Sequence, residues 1–440
     1  MPVVRLAEVV PELQHPETVP RLLLITPANS YRTIAYLDAA RRLGIDVLVA
    51  SEGKFSLVGA IASGVHIDLE DPAAFEVLLA TGRERPFSGV VATDDNTVEL
   101  GSRIARRLGL PHNPPEAARY SRRKDLARQV LAGSNARVPA FRVIDLAAPL
   151  EPQLDVIRLP CVVKPVSLSA SRGVIRADTP AELMVACERV RTILAGEYRG
   201  ETFSGSHLLV EDFVPGPEVA LEGLLHRGKL NVLAVFDKPD PLEGPFFEET
   251  YYITPSRHTR EVQERIVDCV ARACAGMGLA EGPVHAEVRI AGGDCVIMEV
   301  AARTIGGECA RLLKFGAGHE LEDLVIAHAS GRPLQLQSET GAAGVLMIPI
   351  PAAGVLRRIE GVTAARAVPF IEDLLVNIRD GYELVPLPEG SSYLGFIFAR
   401  APTPEQAESA LRAAHAELNI VVAPLLRMED RRGGRGGVAG

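Results

Sequence analysis

VHAEVRIAGGDCVIMEVAARTIGGE, residues 284–308, is the stretch on which the fold turns. Val284, Ala286, Val288 and Ile290 alternate with His285, Glu287 and Arg289, the period of a strand with one wetted face. Gly292-Gly293 is a turn signal, and the alternation resumes through Cys295–Val300, so the two runs read as a hairpin. A turn centred on Gly293 puts Cys295, Ile297 and Glu299 on one face and sets Glu287 opposite Glu299, their Cβ atoms about 5 Å apart. A two-residue turn would slip the register by one and send the two glutamates to opposite faces. Facing carboxylates repel unless a cation lies between them, and Mg²⁺ takes such oxygen ligands together with phosphates. The competing reading is two exposed glutamates on a solvated face.

Three further features surround this hairpin. Lys164 ends the apolar run PCVVKP (160–165), an unusual place for a residue rarely buried unpaired. The small, polar loop SLSASRG (167–173) follows, of a kind that lays backbone N–H groups along phosphates, although such loops are more often only loops. In HLLVEDFVPGPEVALEG (207–223) a strand ends at Glu211-Asp212, bends through Pro215-Gly216-Pro217 and resumes at Glu218. That connector exposes backbone groups suited to an adenine edge, with Glu218 placed to accept from ribose hydroxyls. Arg303 follows Glu299 by four residues, where a guanidinium would balance charge on a transferred phosphoryl or acyl group. GxxxxGK[ST] is absent, and the first strand runs into PANSY (27–31) rather than GxGxxG.

Residues 21–115 alternate short apolar strands with helical spacing, which predicts a small doubly wound parallel-sheet domain. Asn113-Pro114-Pro115 breaks that pattern, and one charged helix is expected over Ser121–Ala132. Val262, Ile266, Val270, Cys274 and Met277 form a helix stripe, read as core packing. Residues 340–425 predict a further α+β unit. The chain of 440 residues is 47% apolar and 23% charged, a globular composition for several domains. Lys and Arg total 47 against 56 Asp and Glu, so the net charge of −9 argues against nucleic acid or anionic membrane as a partner. The basic run Arg122, Arg123, Lys124 reads locally as a solvated helix face. No apolar run approaches the length of a membrane span and no signal peptide is evident, so a cytoplasmic protein is expected. The six cysteines lack a CxxC pair and read as buried reduced thiols. The Arg- and Gly-rich tail is expected to be disordered.

Taken in order, these motifs resemble the ATP-grasp superfamily over roughly residues 21–335, most specifically at 160–310. Residues 340–425 are similar to the C-terminal subdomain of L-amino-acid (dipeptide-forming, bacilysin-type) ligases. The resemblance implies an N-terminal domain at 1–115, a small lobe at 116–200, a large lobe at 201–335, a ligase subdomain at 336–425 and a tail at 426–440. It implies that Lys124 and Lys164 contact ATP phosphates beneath a mobile loop carrying Ser169, Ser171 and Gly173. Glu211, Phe213 and Val214 then match the adenine connector, and Glu218 the ribose-binding acid. Glu287 and Glu299 match ligands of Mg²⁺, with Mn²⁺ as an alternative. Arg303 matches the arginine at the reacting acyl phosphate, with Gly306 and Gly307 beside the substrate, and Glu249 is implied as an amine or metal contact. The activity implied is amide formation between a carboxylate, an amino acid in the closest pattern, and an amine, in a possible homodimer. Other implied readings are a purine-biosynthetic or carboxylase-type ligase, or a nucleotide-binding regulator without catalysis. Ala301 stands where many members have asparagine, which leaves the ligands of a second metal open. Tyr252 stands where some dipeptide ligases have histidine, which leaves the amino-acid specificity open.

Overall fold

The computed structural model describes residues 19–425, apart from 29, 53–62, 70, 199, 315–317 and 337–339. The tail at 426–440 lies outside the described residues. Near the N-terminus β1 (Arg21–Thr26), β2 (Asp46–Ser51), β3 (Gly64–His66) and β4 (Gly89–Ala92) form a parallel sheet in the order β3-β2-β1-β4. Leu22 and Leu24 pack with Tyr36 and Leu37 on one face, while Leu23 and Ile25 pack with Leu78 and Ile104 on the other. Both faces are thus covered, which explains the unbroken apolar run.

A second sheet holds β5 (Phe141–Asp145), β6 (Cys161–Pro165), β7 (Ile175–Ala177) and β8 (His207–Asp212), antiparallel in the order β5-β8-β6-β7. The helix Pro180–Glu197 backs it, burying Ala186, Cys187 and Val190 against Cys161 and Val163. Thr179 and Glu182 close a capping box at its start.

The rest of the chain supplies β9 (Glu218–His226), β10 (Lys229–Lys238), β11 (Tyr251–Thr254), β12 (Gly282–Ala291), β13 (Asp294–Ala301), β14 (Ala342–Ile348), β15 (Gly354–Glu360), β16 (Ile371–Val376), β17 (Glu383–Leu384), β18 (Gly395–Ala401) and β19 (Asn419–Ala423). Eight of these strands make one sheet, ordered β13-β12-β9-β10-β11-β14-β18-β16, and a small sheet runs β17-β15-β19. The strand β11 joins β10 to β14, so the C-terminal strands continue the sheet that carries the 284–301 hairpin. The stripe on helix Arg260–Met277 packs Ile266, Val270, Cys274 and Met277 onto Val284, Ala286 and Val288. All six cysteines are free, and five of them are buried. No helix among the described residues is long and apolar enough to cross a membrane.

Two local expectations are corrected. The hairpin turn is not centred on Gly293: Ala291 pairs with Asp294, so the loop is Gly292-Gly293, both at positive φ. A β-bulge restores the pairing, because Val288 faces Ile297 while Glu287 faces Glu299, leaving Met298 as the extra residue. Ile297 consequently joins the core with Val288 and Val300 rather than sharing a face with Glu299. The charged helix is also broken in two, Pro115–Arg122 and Lys124–Ala132, with Arg123 extended between them. The Lys124 N–H donates to the Val166 carbonyl at 2.8 Å, a bond to β6's exit that a continuous helix would forbid.

Candidate functional site

The bulge at Met298 determines which way Glu299 points. Met298 and Glu299 line a cleft between the second sheet and the large sheet, facing Glu287. Lys124, Lys164, Ser169, Ser171, Glu211, Phe213, Val214, Glu218 and Glu249 line the same cleft. A larger cavity of about 1080 Å³ continues from it, sharing Ser169, Ser171, Glu249, Glu287 and Glu299 and adding Arg303, Gly306 and Gly307. Residues far apart in sequence are therefore gathered around one connected space. Gly173 stands outside these walls. Its N–H donates to the Pro388 carbonyl at 2.9 Å, its φ is +72°, and a Cβ there would lie 2.7 Å from Pro165 Cγ. Only glycine fits that approach, so the residue shapes the exit of the loop.

The two lysines are held differently. The Lys164 ammonium pairs with Glu211 at 2.7 Å, and Glu211 also accepts from Arg128 Nε at 2.6 Å. Burial opposes ionisation of Glu211, but Arg128 and Lys164 outweigh it and hold the carboxyl at about 2. Glu211 thus aims Lys164 into the cleft, while Phe213 and Val214 form the wall beyond it. Lys124 Nζ donates to the Leu168 carbonyl at 2.9 Å and lies 3.5 Å from Glu299. It ties the 167–173 loop to the hairpin. Ala170 and Ser171 in that loop have φ of 55° and 54°, an uncommon state for residues with a Cβ.

The acidic wall contains a cation of its own. Lys238, at the end of β10, places its ammonium 2.8 Å from Glu218, 3.0 Å from Glu287 and in contact with Glu249. Glu218 also pairs with Arg289 at 2.8 Å, and Glu249 accepts from the Tyr252 hydroxyl at 2.8 Å. Burial works against ionising Glu287, but Lys238 and His285 hold it well below the ordinary carboxylate range. Burial and the neighbouring Glu287 push Glu249 up. His285 hydrogen-bonds Glu222 at 3.1 Å; burial opposes its charging, yet Glu222 and Glu287 raise it to about 9. Glu287 and Glu299 offer carboxylate oxygens to one space beside two lysines, a donor set that fits Mg²⁺ with phosphate oxygens.

Asp95 belongs to this site although no motif marks it. It follows β4 at the carboxyl end of a parallel sheet, the edge where such sheets place ligand contacts. Its oxygens take Arg303 Nε at 2.9 Å and Nη2 at 3.0 Å, and the Ser169 hydroxyl at 2.8 Å. One carboxylate thereby fastens the N-terminal sheet, the loop and the arginine together. Nearby, Arg32 bridges Asp94 at 2.8 Å and the Ile305 carbonyl at 3.1 Å. Burial disfavours the Asp95 charge, but Arg303 more than compensates and lowers it to about 2. A lowered carboxyl stabilises the fold fully above its unfolded value near 4, and that contribution vanishes as pH falls through about 2. It is worth about 2 kcal/mol. The melting-temperature gap between the parent and Asp95→Asn should therefore narrow as pH is lowered from about 5 to about 2.5. A gap independent of pH would remove the ion pair as its cause.

Models of the ATP-grasp domain, the ATP-grasp N-terminal domain and the L-amino acid ligase C-terminal domain 2 match residues 157–311, 37–112 and 346–423. The solved L-amino acid ligase from Bacillus licheniformis superposes with a TM-score of 0.78 at 29% identity, over 92% of this chain and 99% of that one. Protein y4rH of Sinorhizobium fredii is 27% identical over 406 residues, 90% of this chain and 82% of its own. The alanine–anticapsin ligase of Bacillus subtilis is 24% identical over 257 residues, 54% of each chain.

Proposed function

We propose that this chain, which belongs to the ATP-grasp superfamily, joins an amino-acid carboxylate to an amine through an acyl phosphate, releasing ADP and phosphate. The observation that carries this reading is the shared wall of two spaces. Glu287 and Glu299 line both the narrow cleft with the lysines and the roomy cavity containing Arg303. A nucleotide in the first would thus present its terminal phosphate to substrates in the second.

In this mechanism Phe213 and Val214 border the base and Glu218 the ribose. Lys164 and Lys124 hold the phosphates, aimed by Glu211 and the Leu168 carbonyl. Glu287 and Glu299 would hold Mg²⁺, which when bound neutralises phosphate charge and draws the terminal phosphoryl group toward attack. The substrate carboxylate displaces ADP from that group, and the amine then displaces phosphate from the acyl carbon. Arg303, fixed by Asp95, balances the negative charge that develops on the acyl oxygen. Glu249 is the candidate contact for the incoming amine, with Gly306 and Gly307 leaving room beside it. The 167–173 loop, latched through Ser169 to Asp95, excludes water that would hydrolyse the acyl phosphate.

Paired amino acids and amines should be screened for ADP and phosphate release, with product mass measured. The expected product has the mass of the two substrates less water, formed only when both are present. Phosphate release that responds to bicarbonate or a purine ribonucleotide amine, and to no amino acid, would overturn the reading.

A further inference from the structure

A second constellation of ligating side chains lies at the other end of β9 from the catalytic wall. Eight residues of strand separate His226 from Glu218, about 26 Å at ~3.3 Å per residue. His226 closes β9 just before a turn in which Arg227 and Gly228 have φ of 51° and 79°. Glu281 precedes β12, where Asn113 fixes the backbone: its Oδ1 accepts from the N–H groups of Ala280 and Glu281 at 2.7 and 2.9 Å. His328 sits in the last turn of the helix Leu321–Ala329. Three separate elements therefore deliver these groups to one point, and their ligand atoms all lie within 4.8 Å of one another.

The distances suit a metal cradle. Glu281 Oε2 lies 3.5 Å from His226 Nδ1 and 3.5 Å from His328 Nε2. That is longer than a good N–H···O bond, about 2.7–3.2 Å. It matches the edge of a tetrahedron around Zn²⁺, about 3.3–3.6 Å for bonds of about 2.0–2.2 Å. Glu281 Oε1 is occupied, accepting the Arg227 N–H at 2.9 Å. Glu281 Oε2 is buried and, among the described residues, takes part in no hydrogen bond of ordinary geometry. A buried carboxylate oxygen with no close donor is costly, and a cation between it and the two imidazoles would satisfy it.

We propose that His226, Glu281 and His328 bind one divalent cation of the zinc class, leaving a fourth position open to water. Two imidazoles and a carboxylate suit Zn²⁺ or Co²⁺, whereas Mg²⁺ prefers oxygen alone. The helix that carries His328 packs Leu321, Leu324 and Val325 against Tyr36, Ala39 and Ala40 of the N-terminal unit. The ion therefore clamps the β9–β10 hairpin tip to the helix that backs the N-terminal sheet.

The test uses the full chain, stripped with a chelator and titrated with Co²⁺ in saturating Mg²⁺. The expected result is one equivalent of Co²⁺ with the visible absorption of a tetrahedral site, displaced by Zn²⁺. His226→Ala, at an exposed turn, should weaken that binding by about a hundredfold or more, since losing even an outer partner of a ligand costs about 10–100-fold. It should melt like the metal-free parent and keep ADP formation. Glu299→Ala should leave the Co²⁺ signal intact. No absorption up to millimolar Co²⁺, equal affinity in His226→Ala, or loss of the signal in Glu299→Ala instead would each overturn the proposal.

Discussion

Glu299→Ala is expected to reduce ATP-dependent turnover by about 10³-fold or more, the scale of losing a principal electrostatic stabiliser of phosphoryl transfer. The bulge turns Glu299 into the cleft, and Lys124 at 3.5 Å is its ion-pair partner. Lys124 is half-buried and still donates to the Leu168 carbonyl, so removal of Glu299 strands no fully buried charge. The loss should therefore appear in ADP release and not in the melting temperature. Residual ADP release with the parent's dependence on Mg²⁺ would show that the hairpin carboxylates do not serve the nucleotide.

Arg303→Ala is expected to slow turnover by about 10²–10³, the effect of deleting one oxyanion stabiliser. Stability is a confounder here, because Asp95 would be left in the site with no guanidinium. The double variant Asp95→Asn/Arg303→Ala removes both charges and separates the effects. It should recover melting temperature and remain as slow as Arg303→Ala. Acyl-phosphate chemistry within tenfold of the parent in the double variant would take Arg303 out of the reaction.

Much of this site is legible because its residues are chemically out of place. Lys164 ends a buried strand, and Glu287 and Glu299 interrupt alternating apolar runs. The register that joins the two glutamates is less accessible. A turn centred on Gly293 and a two-residue turn followed by a bulge give the same opposition, and the sequence cannot separate them. Val296 and Ile297 are both buried, so alternation fails where the bulge begins. The break at Arg123 has no proline or glycine to announce it; it depends on the distant Val166 carbonyl. Asp95 and Lys238 acquire their roles only when the sheets meet, Asp95 by reaching Arg303 from the N-terminal unit and Lys238 by reaching three carboxylates from β10.

Lys238 changes what the acidic wall costs to maintain. Three carboxylates converging on a cleft would ordinarily spring apart until an external ion arrived, making assembly of the pocket conditional on supply. A covalently tethered counter-charge at their centre removes that condition. On the proposed mechanism, loss of Mg²⁺ would then halt phosphoryl transfer and leave the acidic wall in place.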